Sequence, residues 1–501
     1  MQSRAERSEI ILWAAAIAVA AFGTWVMYEA MPGINWASWT AVAAAGLFLF
    51  LRTPDPRSII LTSGTAVLIA FGAAYTANEF IHALIVLSVI MFLALSMLLS
   101  SNASIQRITA AFAIPAPVIA FATAITESVK RGIDALHLVR SERARSIVRG
   151  IVITAPVIVI FALLLSAADP VFAEWRDAIG DLLSSWAFVP RIFFFVGMLT
   201  LTLGAFSYAS RDNAPPAPVA QSPEGGRWLG STERLILIGS IAALFWIFLA
   251  VQVSYFFGNL PRVTGSGVTF ADYARRGFGE LTVVASASVL LVLLSERFGK
   301  REGKNGSLRV ATIALIVGVL LLLASAFNRV LLYEAAYGYT TARLYAQCYM
   351  IVIAVALLAL AWETTRTLQT ARLFRVVGAT ATLVFIVLIY WNHEAWIADK
   401  NIDRLATTGK LDVVYLTRDL SANVVPTLVR RLPALPEPAR SELQRALTSR
   451  YTGRRRFFER KWYEWNLRVD QAEEALRGLG VPIDQTPARP PVVVPAPAIV
   501  R

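Results

Sequence analysis

The stretch ITAAFAIPAPVIAFATAIT (108–126) is apolar enough to cross a membrane, and whether it crosses decides the side on which every later residue lies. Pro115 and Pro117 sit in its middle. Proline removes a backbone donor and clashes with the preceding helical turn, so the stretch does not read as a simple spanning helix. Charge settles the question. If 108–126 does not cross and the N-terminus is cytoplasmic, the inner segments carry 22 Lys and Arg and the outer loops seven, with 18 more in the C-terminal tail. If it does cross, the balance before the tail becomes 12 inside against 17 outside. Positively charged loops stay on the cytoplasmic side, so the sequence predicts a re-entrant or interfacial segment here. Arg275 and Arg276 run against the rule.

The rest of the chain has the same character. It has 501 residues, 56% hydrophobic and 16% charged, with a mean hydropathy of +0.57. Soluble domains carry about 25% charged residues. Apolar runs of spanning length recur at 10–31, 35–51, 58–77, 80–99, 147–166, 187–209, 234–257, 279–296, 308–326, 342–362 and 373–391. A hydrocarbon core of about 30 Å takes roughly 20 apolar residues as helix, and lipid leaves the backbone no other hydrogen-bond partners. The expected fold is therefore all-α: a polytopic transmembrane helix bundle of about eleven spans with a small helical C-terminal extramembrane module. The first run follows Arg4 and Arg7 and is too long for the apolar core of a signal peptide, so it reads as a retained anchor.

The predicted organisation is an N-terminal membrane bundle (1–209), a flexible cytoplasmic linker rich in Pro, Ala and Gly (210–233), and a C-terminal membrane bundle (234–391). A helical extramembrane tail (392–480) and a disordered Pro-rich arm (481–501) follow. In the tail, Val414, Leu416, Leu420, Val424, Val425 and Leu428 fall near one helical face, with Pro426 interrupting. The net charge of +13 is accounted for by basic loops and needs no nucleic acid. The stretch from Lys130 to Arg149 reads as a basic cytoplasmic helix lying on anionic headgroups. The tail segment GRRRFFERKWYEWNLR (453–468) alternates bases and aromatics and suits the membrane surface or an acidic envelope partner. Arg outnumbers Lys 41 to 6, which points to a bacterium with GC-rich DNA. The expected location is the bacterial inner membrane, with the N-terminus cytoplasmic and the tail outside.

Candidate chemistry concentrates in NRVLLYEAAYGYTTARLYAQCYM (328–350). If the preceding span continues as helix through Tyr337, Gly338 breaks it and Thr340 or Thr341 caps the next. Tyr333 and Tyr337 then share a face, as do Tyr345 and Tyr349. A hairpin would bring Glu334 or Arg329 toward Arg343. The competing reading is an aromatic belt with snorkelling arginines. In NEFIH (78–82), Asn78 caps a helix, and Glu79 and His82 stand three apart. That is the spacing of carboxylate metal sites in bundles, but such sites need a second copy, which the sequence lacks. Arg329, Tyr333, Glu334, Tyr337, Arg343, Glu79 and His82 thus form the candidate polar site of the outer face. Glu29, Asp169, Glu174, His393 and Glu394 fall on the same side. Thr269 and Asp272 have capping-box spacing, and Asp272 to Arg276 is an i,i+4 pair. Cys348 is the single cysteine and only three histidines exist, which argues against a Cys/His metal centre. No pattern singles out a catalytic group or a cofactor.

Three blocks, NRVLLYEAAYGYTTARLYAQ, TFADYARRGFGEL (269–281) and WNHEAWIADKNIDRLATTGKLDVVYLTRDLSANVVPTLVRRL (391–432), resemble the domain-of-unknown-function 4173 family of bacterial membrane proteins. The resemblance covers about 230–430 and implies an integral membrane protein of the bacterial envelope without supplying an activity. The competing functions are solute transport, envelope sensing or assembly, and a membrane-embedded enzyme acting on a lipid-linked or envelope substrate from the outer face.

Overall fold

In the computed structural model the apolar runs that fall among the described residues are helices, as a backbone without water requires. The structure describes residues 2–51, 56–100, 109–136, 188–211, 228–257, 278–300, 306–366 and 369–483, together with Thr154. The first half contains α1 (Gln2–Met27), α2 (Ile34–Leu49), α3 (Arg57–Phe71), α4 (Glu79–Leu99), the short α5 (Ala110–Ala113), α6 (Ala116–Leu136) and α7 (Val189–Ala209). The second contains α8 (Ser231–Phe257), α9 (Phe278–Phe298), α10 (Gly306–Tyr337), α11 (Thr341–Thr364) and α12 (Thr370–Tyr390). The tail follows with α13 (His393–Thr408), α14 (Val425–Arg431), α15 (Ala439–Tyr451), α16 (Arg455–Phe458) and α17 (Leu467–Gly478). Among the described residues nine helices are long and apolar enough to cross a membrane. They match nine of the eleven expected runs. The run 35–51 is the shorter apolar helix α2, of 16 residues, and 147–166 lies outside the described residues.

The helices alternate between two ends. At the near end, where α1 begins, Arg131 of α6 ion-pairs with Glu9 and reaches Ser210, just past α7, at 3.2 Å. Beside it the buried Glu127 pairs with Lys130 and Arg211. In the second half, Arg234 pairs with Glu296, and Arg372 with the buried Glu363 at 3.2 Å. At the far end lie the turns between α1 and α2, α3 and α4, and α10 and α11, and there the tail is seated. Leu344 and Leu388, at the far ends of α11 and α12, share one core with Ile397, Leu416, Leu428, Leu443, Leu447, Val469 and Leu476 of the tail.

The proline stretch resolves into a turn and a helix start. Pro115 separates α5 from α6, and Pro117 falls in the first turn of α6, where a missing backbone donor costs nothing. α6 continues to Leu136, past the apolar stretch; 137–149 lies outside the described residues. The last residues of α4, Leu98 and Leu99, pack in one cluster with Ala116, Ala120 and Ala124 of α6 and with Tyr208 and Ala209 of α7.

The tail departs from its expected amphipathic helix. Leu416, Leu420, Val424, Val425 and Leu428 are buried, but Val414 is 58% exposed. A π-helical turn over Tyr415–Asp419 and an extended Leu420 break the register there, so a single 3.6-residue period does not hold. Pro426 opens α14 instead of interrupting a helix. The capping box at Thr269 and Asp272, with Arg275 and Arg276, lies outside the described residues. So do most of the linker and all of the chain beyond residue 483.

Close packing of α6 on α7 depends on Gly204, where a Cβ would sit 1.9 Å from the Ala124 carbonyl oxygen. Small residues let membrane helices approach backbone to backbone. Gly204→Ala therefore separates the two helices and lowers stability by about 1–3 kcal/mol. Gly197→Ala, on the same helix with nothing within 4 Å of its Cβ, costs nothing and raises stability by up to about 1 kcal/mol, since alanine is the better helix former. Thermal unfolding of both variants in detergent checks the difference.

Candidate functional site

α10 is 32 residues long, about 48 Å at 1.5 Å per residue, so its last turns stand beyond a 30 Å core. It ends where Gly338 takes φ +87°, a left-handed conformation that glycine adopts without steric cost. Thr340 then caps α11 by accepting from the Arg343 amide. This hairpin brings four of the expected residues together. Glu334 is buried and accepts from Gln347 Nε2 at 2.9 Å. The Arg343 guanidinium lies over the Tyr333 ring, 4.2 Å from its centroid, and donates to the Gly338 carbonyl. Tyr333 and Tyr337 pack ring to ring at 4.8 Å. Arg329 is buried on α10 below this group. Glu79 and His82 lie elsewhere. Glu79 lines a cleft with Phe80, Tyr345, Arg418, Asp419 and Arg450, about 450 Å³ in volume. The His82 ring meets the Ala73 carbonyl at 3.3 Å.

The tail contributes a dense polar cluster centred on Glu394, which is fully buried. One carboxylate oxygen accepts from Asn78 Nδ2 at 2.8 Å and from the Ser421 amide at 3.2 Å. The other accepts from Asn423 Nδ2 at 2.7 Å and from Ser421 Oγ. Each donor is itself fixed. Asn78 Oδ1 caps α4 by accepting from the Ile81 amide at 2.9 Å, and Asn423 Oδ1 accepts from the Ala77 amide at 2.8 Å. The neighbouring His393 is buried, with Nδ1 3.1 Å from the Leu388 carbonyl and Nε2 3.0 Å from the Tyr345 hydroxyl. The carbonyl can only accept, so Nδ1 carries the proton and Nε2 accepts from Tyr345. Burial pulls the His393 pKa below its ordinary value, and the Glu394 carboxylate opposes that shift. Burial likewise raises the Tyr415 phenol, which accepts from the Thr341 amide at 2.9 Å.

Three asparagines extend the joint to the turns of the bundle. Asn466 Nδ2 donates to the carbonyls of Ala73 at 2.8 Å and Thr76 at 2.7 Å. Asn401 exchanges two bonds with the Tyr339 backbone, at 2.9 and 2.8 Å. Asn423 adds a bond to Thr76 Oγ1 at 3.0 Å. On the turn between α1 and α2, Arg460 donates to the Pro32 carbonyl at 3.0 Å, and Glu464 accepts from the Met31 amide at 3.3 Å. Burial pulls the Arg460 pKa down.

A family model for a domain of unknown function, DUF4153, matches residues 63–431. The chain belongs to the DUF4153 family. This replaces the expected resemblance to family 4173: the assignment to an uncharacterised family stands, but the family is a different one. The match begins inside α3 and so takes in most of the first half, which the three quoted blocks did not reach. No curated protein and no solved structure matches the chain. The DUF4153 region contains Asn78, Glu394, Ser421 and Asn423, whereas Asn466 and Arg460 lie beyond it. The sequence reading placed His393 and Glu394 only on the outer side; it saw Asn78 as a helix cap and did not single out Asn401, Asn423 or Asn466. Among the described residues no group of three or more His, Cys, Asp or Glu is arranged to hold a metal ion.

The joint of this DUF4153 protein can be tested by one atom. In Glu394→Gln the new amide nitrogen faces either Asn78 Nδ2 or Asn423 Nδ2, and neither amide can flip without losing its own backbone bond. A hydrogen bond to a charged group is worth about 1.5–3 kcal/mol. The variant is thus expected to lose at least about 2 kcal/mol and to expose the tail to protease, measured by thermal unfolding and limited digestion. His393 sets a pH dependence. Its folded pKa lies below the unfolded value, near 6.5, so the unfolded chain binds more protons at mildly acidic pH and stability falls as pH drops below about 6.5. His393→Gln flattens that part of the curve, read as the thermal midpoint between pH 7.5 and 5.5.

Proposed function

We propose that this chain is a non-enzymatic protein of the bacterial inner membrane that holds its tail module on the outer face as a platform for envelope sensing or assembly. The single observation that carries the reading is how the far-end polar groups are used. Glu394 takes four donors, Glu334 takes Gln347, Arg343 serves Gly338 and Tyr333, and the asparagines grip the backbone of the bundle's turns. Groups so engaged support a fixed module rather than chemistry.

The orientation is supported by charge. Lys130, Arg131, Arg211, Arg234 and Arg372 all stand at the near end, which positive-inside placement makes cytoplasmic. The near-end position of Arg131, with α4 also ending there, supports a re-entrant course for 108–126. Lys130 stands where anionic headgroups would meet it.

An enzyme acting from the outer face is the second reading. It is favoured by the Tyr345–His393 hydrogen bond beside a cleft that also holds Glu79, a phenol and a carboxylate that could share proton transfer.

Two measurements separate these readings. In a Cys348→Ser background, Ser441→Cys in the tail is expected to react with an impermeant maleimide on intact cells; labelling only after lysis overturns the orientation. Tyr345→Phe and Glu79→Gln are expected to restore a deletion strain at normal protein abundance. Lost restoration at normal abundance would favour the enzyme.

A further inference from the structure

The tail holds a second cleft, of about 640 Å³, which Asn423 helps to line; it shares no lining residue with the cleft that contains Glu79. Asn392, Thr427, Arg430, Arg468, Gln471 and Glu474 line it. Among the described residues its two arginines meet only neutral acceptors: Arg468 donates to Gln471 Oε1 at 2.9 Å, and Arg430 to Thr427 Oγ1 at 3.4 Å. Arg431, beside Arg430 in sequence, shows the contrast, since it pairs with both Asp399 and Asp403. Glu474 lines the same cleft and is exposed, and among the described residues it forms no ion pair with either arginine. Two guanidinium groups thus face one polar cleft with their charge unanswered by a carboxylate in contact.

The position of the cleft narrows the ligand. Asn392 follows α12 by two residues, so the cleft opens where a membrane helix leaves the lipid. An aromatic girdle marks that level: Tyr75 packs edge-on to Tyr390 at 5.2 Å, and Trp391 packs against Trp396 at 5.5 Å. Tyrosine and tryptophan sit at the headgroup level of membrane proteins. Arg468 is half-buried near Tyr75, and burial pulls its pKa down; an anion in the cleft would repay that burial. A forked guanidinium matches the oxygens of a phosphate in a way that a lysine does not.

We propose that the cleft between Arg430 and Arg468 binds a phosphate group, carried by a membrane lipid headgroup or free in solution. The proposal depends on the platform reading only for the side of the membrane from which the ligand comes.

The test uses the full chain purified in a neutral detergent. Thermal midpoints are measured with added phosphatidylglycerol, phosphatidylcholine or inorganic phosphate, and native mass spectrometry counts retained lipids. Phosphatidylglycerol is expected to raise the midpoint and remain bound, phosphatidylcholine to do neither, and Arg430→Gln/Arg468→Gln to weaken retention at least tenfold. Equal stabilisation by inorganic phosphate, lost in the same double variant, supports the site with free phosphate as its source. Glu474→Gln, which removes the cleft's own negative charge, is expected to tighten binding and serves if the double variant fails to fold. Binding unchanged in both the double variant and Glu474→Gln, or no response to either phosphate source, overturns the proposal. Labelling of the tail only from the cytoplasm would reverse the orientation and leave these binding results standing.

Discussion

A carboxylate with no exposure to water has to be given donors, and at Glu394 those donors come from two widely separated parts of the chain. Asn78 caps α4 in the first half, while Ser421 and Asn423 belong to the irregular loop of the tail. An uncompensated buried charge costs several kcal/mol, so the tail cannot dock a turn out of place without stranding it. The apolar core that runs from Leu344 and Leu388 into the tail supplies attraction without direction. Glu394 and its four donors supply the register.

The rest of the joint follows from a problem at every helix end, the unpaired carbonyls of the last turn. At the far end these carbonyls emerge where lipid gives way to protein. Asn35 takes the carbonyls of Val26 and Met31 after α1, at 2.9 and 3.1 Å. Asn466 takes Ala73 and Thr76 after α3, and Arg404 takes Ala335 and Ala336 near the end of α10. A side-chain amide reproduces the backbone's own donor and acceptor, as the two-way bond between Asn401 and Tyr339 shows. Arg404 and Arg343 also place positive charge at the end of α10, where the helix dipole favours it. Gly33 lets the tail come close enough, since a Cβ there would fall 2.4 Å from the Glu464 backbone.

Local signals were legible in the sequence. Apolar run length gave nine of the eleven expected spans, Gly338 and Thr340 gave the hairpin between α10 and α11, and Asn78 gave the start of α4. Glu334 and Arg343 stood out because ionisable groups beside a span are expensive. What was not legible was partnership across long separations: Asn78 meets Glu394 across 316 residues, and Asn466 meets Ala73 across 393. An asparagine in a polar tail looks like any surface residue until its partner is known. The two prolines were informative only in part: Pro115 does break α5 from α6, but the point where the next helix starts was not legible. Their chemistry was read correctly, but a helix that begins at proline and one that is broken by it look alike in sequence until the next turn is placed. The first half escaped the family resemblance because its apolar helices carry few residues that differ from any other membrane span.

The joint also bears on what the molecule can do. Alternating access needs one half of a transporter to rock against the other around a central site. Here the tail grips both halves at once: Asn423 and Asn466 hold the turn between α3 and α4, while Asn401 and Tyr415 hold the turn between α10 and α11. Rocking would have to break several of these bonds together, each worth about 0.5–1.5 kcal/mol net and more at the Glu394 carboxylate. Asn423 lines the cleft of Arg430 and Arg468, Ser421 lines the cleft of Glu79, and both donate to Glu394. The linings of the two clefts are therefore tied together through the Glu394 carboxylate. That arrangement suits surfaces held still for a partner better than a gate that opens between them.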